Sequence, residues 1–482
     1  MSRRIVGPFN RVEGDLEVQL ETADGQVRDA WVVAPMYRGF EQMLQGRAPL
    51  DALVYVPRIC GICSVSQSLA AARAIAGAQG LAMPPNGELA TNLILATENL
   101  ADHLTHFYLF FMPDFAREAY RGQPWFSGAL ERFRALQGAA ARQVLPVRAE
   151  WLHLTGLLAG RWPHSLALQP GGTSRSIEHQ ERARAGTLIH AFRRFLEQTL
   201  FGDDLESVVA LDSADALASW ARAAPPRSSD FRHFLHISDA LGLERLGRGA
   251  DRFMSFGAYP REGRTRFRPG VWAGGDAPLD PGGISEEISH SWMHHQSGPR
   301  HPYEGVTLPS AEQPGAYTWC KAPRLDGEVM EVGALARQMV DGHPLIRDLV
   351  ARGGGNVHNR VVARLLESAL VVLEMDRWVR AIRPGEPFCL QGRLPEEAQG
   401  HGMIEAARGS LGHWVRIKRG RILNYQIIAP TTWNFSPRDA AGVPGALEQV
   451  LRGAPIQEGE RDPVAVQHIV RSFDPCMVCT VH

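Results

Sequence analysis

The chain has 482 residues, 44% of them hydrophobic, which is enough apolar mass for a large core. Its formal net charge is −1, so composition gives no reason to expect nucleic acid or an anionic membrane surface as a partner. No apolar run reaches the roughly 18 residues of a membrane span. No apolar signal core follows the basic pair of MSRRIVGPFNRVEG, so we expect a cytoplasmic protein. Six cysteines are too few for a disulfide scaffold and favour metal or redox chemistry.

The predicted elements begin with strands and continue as long helices. DLEVQL and VRDAWVVA flank the turn sequence ADGQ, which predicts a β-hairpin region over residues 1–35. Apolar residues at helical spacing then predict helices in SVSQSLAAARAIAGAQG, NGELATNLILATENLADHLTHFYLFFM, SIEHQERARAGTLIHAFRRFLEQTLF and NRVVARLLESALVVLEMDRWVRAI. HWVRIKRGRILNYQIIA predicts another hairpin, inside a β region over residues 400–435. The patterns predict a mainly α chain of the α+β class, with a core of long helices and small β-sheet elements near the N-terminus and in the C-terminal part.

One long segment, from about Gly247 to Pro344, is rich in glycine and proline and has little periodicity. It holds several tryptophans, so we expect packed loops there rather than disorder. It also contains HSWMHHQSGPRH, which leaves a metal-carrier function open, although loop histidines are more often plain surface groups.

Four of the six cysteines form two CxxC pairs at opposite ends of the chain: Cys60 with Cys63 in PRICGICSVSQ, and Cys476 with Cys479 in SFDPCMVCTVH. Four thiolates are enough to enclose a thiophilic metal. A structural zinc site is the first interpretation, but zinc ribbons and knuckles close over some tens of residues. Because nearly the whole chain separates these pairs, a reactive centre that joins two distant parts of a finished fold becomes the stronger interpretation.

These pairs also carry a resemblance to a known family. RICGIC and DPCMVCTVH resemble the two metal-binding motifs of the nickel–iron hydrogenase large subunit. NRVEGD, RGFEQMLQGRAPLDA, ADHLTHFY, SWMHHQSGPRHPYEG, KAPRLDG, MEVGALAR, ARGSLGHW and APTTWNFSPRD resemble further stretches of that family, in order along the chain. The resemblance implies the hydrogenase large-subunit fold, as a single domain over residues 1–482, and oxidation of dihydrogen by heterolytic splitting.

The resemblance implies a nickel–iron centre. All four of the paired cysteines would bind nickel, and Cys63 and Cys479 would also bridge to an iron that carries carbonyl and cyanide ligands. Soft thiolates suit nickel, and bridging sulfur holds two metals close together.

Other residues are implied around that centre. Arg408 resembles the arginine held over the iron ligands, where a guanidinium can donate to cyanide. Asp102 and Asp474 match two aspartates that pair with this arginine. Thr431, a hydroxyl donor to cyanide, and the preceding Pro430 match the wall of the cofactor site.

A proton relay and a second ion are implied as well. Glu13 in NRVEGD matches the glutamate that relays protons. The terminal His482 would bind magnesium together with Glu41 and the backbone carbonyl of about Ile427, which is sensible hard-cation chemistry.

Within the family, four features favour the regulatory, hydrogen-sensing group. The sequence lacks the carboxyl-terminal extension with which most relatives are made. Gln67 stands where energy-producing relatives have the histidine of CxxCxxxH, and Asp15 stands where most have histidine. Ile62 and Phe110 resemble the bulky pair at the gas-channel end of sensors. Ala407, where the family often has proline, is a departure that alters shape more than chemistry.

The resemblance implies a small subunit with iron–sulfur clusters, in a heterodimer or a dimer of heterodimers. This chain has no spare cysteines for clusters, because we interpret Cys320 and Cys389 as ordinary buried cysteines. In the sensor type the small subunit signals to a histidine kinase. Two alternatives stay open: a processed uptake hydrogenase that feeds a respiratory chain, and a structural hydrogenase-like subunit as in respiratory complex I. Relatives of the second kind lose the four cysteines, which this chain keeps.

Overall fold

The structure is a computed structural model that describes residues 2–482 and joins long helices to short antiparallel strands. Within that range the α-helices are α1 (Phe40–Leu44), α2 (Ala52–Tyr55), α3 (Ser64–Gln79), α4 (Pro85–Thr105), α5 (Phe126–Phe133), α6 (Ala139–Ala159), α7 (His179–Phe195), α8 (Leu205–Val209), α9 (Ala214–Arg222), α10 (Asp230–Leu241), α11 (Ala334–Asp341), α12 (Pro344–Gly353), α13 (Val357–Ala381), α14 (Pro430–Asn434), α15 (Ala446–Leu451), α16 (Val464–Ser472) and α17 (Met477–Thr480). The strands of the same range are β1 (Ser2–Val6), β2 (Glu17–Ala23), β3 (Gln26–Val33), β4 (Leu168–Gln169), β5 (Gly172–Thr173), β6 (Phe253–Ser255), β7 (Ala258–Arg261), β8 (Arg264–Phe267), β9 (Gly270–Trp272), β10 (Asp276–Ala277), β11 (Ile284–Glu287), β12 (Ala322–Leu325), β13 (Glu397–Ala406), β14 (Gly409–Lys418) and β15 (Arg421–Ile428).

The long helices α3, α4, α6, α7 and α13 form the body of the molecule. Helix α4 packs against α6 and α13, and α13 packs in turn against α7. Every residue of α4 from Leu89 onward is buried, because apolar or small residues occupy most positions on all of its faces. Buried apolar side chains of these helices and of both terminal regions belong to one contiguous hydrophobic core. Glu98 and Asp102 on α4, and Arg364 and Glu367 on α13, are therefore removed from water.

Of the three three-stranded antiparallel sheets in the described residues, two lie toward the ends of the sequence. Strands β1, β2 and β3 pair in sequence order, and β13, β14 and β15 do the same near the carboxyl end. Helix α3 crosses β13 at very short range: a Cβ on Gly402 would lie 1.9 Å from the carbonyl oxygen of Ala70, and one on Gly400 would lie 2.1 Å from that of Ala74. Only glycine permits this approach. It brings the start of α3 beside the turn between β13 and β14.

The structure confirms the four predicted helices and both predicted hairpins, with differences in detail. The α-helical hydrogen bonding of α4 and α7 ends at Thr105 and Phe195, and π-helical segments over His106–Phe111 and Leu196–Phe201 continue them. Strand β13 pairs along the whole of β14; most of it lies inside the predicted β region over residues 400–435, but it was not predicted as a separate strand. Its sequence, EAQGHGMIEA, mixes glycine, polar and apolar residues without clear alternation.

The segment rich in glycine and proline is packed, as expected, but it is not only loop. It contains the short strands β6 to β12, and α11 begins before it ends. These strands have two to four residues, which is too short for a period to be visible in the sequence.

The structure also tests the predicted burial of two cysteines and the prediction that no segment spans a membrane. Cys320 is buried as predicted, but the prediction for Cys389 was wrong: it is only partly buried, in a surface segment that pairs with Gly172. In the part of the chain that the structure describes, no helix is long and apolar enough to cross a bilayer.

Candidate metal centre

The four paired cysteines meet in the interior. The Sγ atoms of Cys63 and Cys479 are 3.0 Å apart, those of Cys60 and Cys476 are 3.5 Å apart, and those of Cys476 and Cys479 are 3.2 Å apart. All four atoms lie within 4.8 Å of one another, and all four residues are buried. A disulfide would place sulfurs about 2.05 Å apart, so these are four separate thiols. Among residues 2–482, this is the one group of three or more His, Cys, Asp or Glu side chains close enough to hold a metal ion.

The first pair is positioned by the start of helix α3. Cys63 is the residue that precedes the helix, and its own side chain does not cap it. The buried carboxylate of Glu98, on α4, accepts hydrogen bonds of 2.8 Å from the N–H groups of Val65 and Ser66. A carboxylate at this place satisfies otherwise unpaired N–H groups and interacts favourably with the helix dipole. Glu98 was missed in the sequence, where the signal was a charged residue inside a strongly apolar helix.

The second pair is positioned by the N-terminal segment. Glu13 and Cys476 form a parallel β-bridge, in which the N–H of Met477 donates to the Glu13 carbonyl at 2.7 Å. Gly14 has a φ of +80° and passes so close to Val478 that an added Cβ would lie 3.0 Å from its nitrogen. Glycine is therefore required after Glu13. The carboxyl end is buried and bonded to the opposite end of the chain.

The sulfurs are so close together that four thiolates would repel one another unless a soft cation lay between them. Hydrogen bonding with Cys476 and the other sulfurs lowers the pKa of Cys60 and raises that of Cys63. Burial raises the pKa of Cys476 and of Cys479. Four sulfurs in this space cannot all be thiolates unless a cation compensates their charge. The donor set therefore fits a thiophilic metal centre.

Arg408 lies beside this centre, held by two aspartates. It occupies the two-residue turn between β13 and β14, and its side chain is 4% exposed. Its Nη1 is 2.7 Å from Oδ2 of Asp102, and its Nη2 is 3.1 Å from Oδ1 of Asp474. Burial opposes the charged form, but Asp102 and Asp474 raise the pKa of Arg408 well above its ordinary value. The guanidinium is therefore a fixed cation.

The turn between β13 and β14 is itself held by a residue that the sequence did not reveal. Arg337, on α11, donates to the carbonyl oxygens of Ala406 at 2.8 Å and Ala407 at 3.0 Å. It also donates to Glu367 and Glu405, at 2.7 Å in each case. All five guanidinium N–H groups then have acceptors. A buried arginine in MEVGALAR gave no signal beyond that of an ordinary surface charge.

A small cavity adjoins the cysteines. Its lining includes Cys63, Cys479, Arg408, Pro430 and Thr431. The Thr431 hydroxyl accepts the N–H of Cys476 at 3.1 Å, so its own hydrogen is available to another acceptor. Nη1 of Arg408 is buried without a well-directed hydrogen bond. Two donors facing one cavity fit an acceptor such as an iron-bound cyanide.

Glu13 lies at the edge of the centre and is half-buried. Burial raises its pKa, and the nearby Cys60 raises it further. A carboxyl whose pKa moves toward neutrality is better able to take up and release protons. The exposed Asp15 lies two residues farther on, outside this contact.

A second polar cluster lies behind the C-terminal cysteines, and we call it the Glu41 cluster. Its members are Glu41, Glu286, Thr307, Lys321, Gln426 and His482, and all are buried. Lys321 Nζ lies 3.3 Å from both carboxylate oxygens of Glu41 and 3.0 Å from Glu286. Burial would raise the pKa of Glu41, but Lys321 and the hydrogen bond with His482 lower it to about 2. Of this set, the sequence predicted only Glu41 and His482.

The Glu41 cluster has a place for a hard cation. His482 Nδ1 lies 2.9 Å from the carbonyl oxygen of Cys479 and must donate to it, so in the neutral ring Nε2 carries a lone pair. That lone pair lies 3.3 Å from Oε1 of Glu41, and two acceptors so close require a cation or a proton. The N–H of Ile427 donates to the same oxygen at 2.8 Å, and its carbonyl faces the same edge of the strand. Oε1 of Glu286 is buried without a hydrogen-bond partner. These donors fit magnesium.

The two predicted gas-channel residues occupy different settings. Ile62 lies between two of the cysteines and packs, half-buried, against the core. Phe110 is half-buried in the π-helical segment, and its carbonyl accepts from Arg11 at 3.2 Å. An α-helical period from Asp102 does not apply across that segment, so the spacing of eight residues does not place Phe110 on the face of Asp102. Phe111 is the fully buried neighbour.

The histidine-rich segment does not form a metal site. His294 and His295 are exposed, and the residues that the structure describes contain no metal-binding group there.

Comparison with known proteins agrees with this geometry. A family model described as nickel-dependent hydrogenase matches residues 38–117 and 234–482. The periplasmic [NiFeSe] hydrogenase large subunit of Desulfomicrobium baculatum is 30% identical, with 99% of this chain and 94% of the relative covered. The hydrogenase-2 large chain of Escherichia coli K12 is 27% identical, with 100% and 97% covered. The solved structure of the reduced Ni-Fe-Se hydrogenase from D. vulgaris Hildenborough superposes with a TM-score of 0.84 at 31% identity, over 100% of both chains.

The fold that buries the four cysteines is thus shared with hydrogenase large subunits. The chain belongs to the nickel-dependent hydrogenase family. It is a hydrogenase large subunit, whose four cysteines bind a nickel–iron centre at which dihydrogen is oxidised. The zinc interpretation is replaced by nickel.

Proposed function

We propose that this chain is the large subunit of a regulatory hydrogenase, which reports the availability of dihydrogen to a histidine kinase. Gln67 carries the proposal, because it stands where energy-producing relatives have a histidine. Its buried amide nitrogen lies 3.9 Å from Sγ of Cys479. The group beside this sulfur is therefore an amide, which does not titrate, instead of an imidazole, which does. Asp15, Ile62 and Phe110 support the same assignment.

The four cysteines would hold nickel, with Cys63 and Cys479 bridging to iron. The bound metals supply the Lewis acidity for heterolytic cleavage of dihydrogen. Glu13 then accepts the proton, because its carboxyl is the one beside Cys60 with a raised pKa. Three residues of the cavity wall would contact the carbonyl and cyanide ligands of the iron: Arg408, Pro430 and Thr431. Asp102 and Asp474 orient the arginine.

Magnesium would bind in the Glu41 cluster, through Glu41, His482 and the carbonyl of Ile427. The orphaned Oε1 of Glu286 and the facing lone pairs of His482 and Glu41 support this site. Its role would be structural, because it ties the last residue to α1 and to β15.

The assembly would be a cytoplasmic heterodimer, or a dimer of heterodimers, with a small subunit that carries iron–sulfur clusters. Residues 1–482 would form a single domain, and the contiguous hydrophobic core of the described residues supports this. The four cysteines argue against a structural subunit that has lost its metal centre.

An uptake hydrogenase is the second candidate, favoured by the names of the relatives. Several, including those of Afipia carboxidovorans and Rhodobacter capsulatus, are described as uptake hydrogenase large subunits, at 27% identity. Such a protein would deliver electrons to a respiratory chain.

The experiment that separates the two uses the complex purified with its partners. We expect dihydrogen to change the phosphorylation of a histidine kinase bound to the small subunit, and we expect membrane quinones to stay oxidised. Quinone reduction by dihydrogen, together with unchanged kinase phosphorylation, would establish the uptake function instead.

A further inference from the structure

A chain of three buried polar side chains leads from the sheet to one of the cysteines. The hydroxyl of Tyr425, on β15, lies 2.8 Å from Nδ1 of His413, on β14. Nε2 of His413 lies 2.8 Å from Oε1 of Gln67, on α3, and the amide nitrogen of Gln67 lies 3.9 Å from Sγ of Cys479. Each of these residues is at most 2% exposed, so water does not compete for the bonds.

The donor and acceptor of each hydrogen bond in this series follow from the sulfur at its end. A metal-bound thiolate can only accept, so Gln67 must present its NH₂ group to Cys479. Its oxygen then accepts from Nε2–H of His413, and this fixes the ring as the tautomer with a lone pair on Nδ1. The Tyr425 hydroxyl donates a hydrogen bond to that lone pair. The reverse direction would place the amide oxygen against the thiolate, where two acceptors repel each other.

The surroundings of His413 keep these hydrogen bonds in the same arrangement. Burial lowers the pKa of His413 to about 3, so the ring stays neutral and has one donor and one acceptor. His413 and Tyr425 also contact edge to face, with ring centroids 5.6 Å apart, which limits rotation of the imidazole.

We propose that Tyr425 and His413 are positioning residues, which fix the amide of Gln67 so that it donates to the sulfur of Cys479. They touch neither metal nor substrate and act only through Gln67. A hydrogen bond to a ligating sulfur withdraws electron density from it, and partners of this kind tune the metal that the sulfur binds. The inference rests on the metal centre and not on the sensor function.

The test is Tyr425→Phe, which removes only the hydroxyl. The His413 ring then loses one of its two hydrogen bonds, and the Gln67 amide that it holds can rotate. We expect the infrared bands of the iron-bound diatomic ligands to split into two sets and the nickel EPR signal to change. Hydrogen–deuterium exchange should slow by roughly fivefold, the factor that corresponds to one ordinary hydrogen bond. Tyr259→Phe is the matched control: its buried hydroxyl accepts from Asn99 at 2.9 Å, and its loss should leave the spectra unchanged.

A second background makes the test decisive. In Gln67→Met, the amide is absent, so adding Tyr425→Phe should produce no further spectral change. Identical bands in Tyr425→Phe and the wild type would overturn the proposal, as would an equal effect of Tyr425→Phe in both backgrounds. Nickel content and melting temperature are measured on every sample. Should Tyr425→Phe not fold, His413→Asn takes its place and must reproduce the band splitting. Absence of diatomic bands in the wild type would instead contradict the iron ligands proposed above.

Discussion

The sulfur centre and the Glu41 cluster are two buried sites built from the same last residues of the chain. Cys476 and Cys479 belong to the first, and His482 belongs to the second. The sulfur centre has four acidic groups, and its nearby cation, Arg408, is already paired with Asp102 and Asp474. The Glu41 cluster contains its own cation, because the ammonium of Lys321 contacts both of its carboxylates.

The two sites differ in whether they depend on a bound metal ion. Without a metal the crowded sulfurs cannot all ionise, because Arg408 is already paired with the two aspartates, so the sulfur centre becomes a set of four thiolates only with metal. The carboxylates of the Glu41 cluster are already compensated by the chain, so a divalent ion there would add stability to a site that exists without it. Loss of metal should therefore abolish the function of the first site and only weaken the second.

The largest effect should come from Cys476→Ala. One of four sulfur ligands is lost, and the remaining three leave the nickel open and its charge uncompensated. We expect only trace nickel and no oxidation of dihydrogen in the purified complex. Cys320→Ala is the matched control, because it removes a buried thiol outside the centre and should keep both. Full nickel in Cys476→Ala, measured by elemental analysis, would refute the assignment of this ligand.

Glu13→Gln should act on the same site without removing its metal. The amide keeps the size and hydrogen bonding of the carboxyl but cannot carry a proton. We expect oxidation of dihydrogen and hydrogen–deuterium exchange to fall by about 10²–10⁴-fold, the usual contribution of a general acid–base group. Nickel content and the infrared bands should persist. Glu21→Gln on β2 provides the control, and activity within a factor of two of the wild type would mean that the proton leaves by another route.

The same contrast shows what the sequence could predict. Spacing alone indicated a four-thiolate site, and the long apolar helices indicated the helical body, because both signals are local or repetitive. Lys321 and Glu286 could not be predicted as partners of Glu41, because ion pairs between distant segments have no sequence pattern. Arg337 escaped detection for the same reason, whereas Glu98 did carry a signal, as a charged residue inside a strongly apolar helix. The π-helical segment also was not visible, because the apolar residues continue across it without a break.

Lys321→Met should convert the Glu41 cluster into a site that depends on added metal. Breaking a buried ion pair by removing one partner costs about 3–5 kcal/mol, because Glu41 and Glu286 lose their common cation. We expect a lower melting temperature and a larger difference between samples in magnesium and in EDTA than the wild type shows. Lys418→Met, at an exposed lysine, should change neither. If magnesium changes the melting temperature of neither the wild type nor Lys321→Met, the proposed magnesium site is wrong.

The smallest effect on the centre itself should come from Ile62→Val combined with Phe110→Leu. Ile62 lies between two nickel ligands, whereas Phe110 is farther along the chain in the π-helical segment and half-buried. Both changes shorten side chains without adding a polar group, so the fold and the metal content should survive. Interiors are densely packed, and smaller side chains should open space that a gas molecule can enter. We expect unchanged activity without oxygen and progressive loss of activity in air.

Because the two residues have different surroundings, each single variant must be assayed as well. Sensitivity that appears with Ile62→Val alone would assign the filter to the residue beside the sulfurs. Full activity of the double variant in air would show that both residues only pack, and Gln67 and Asp15 would then remain as the residues that favour a sensor.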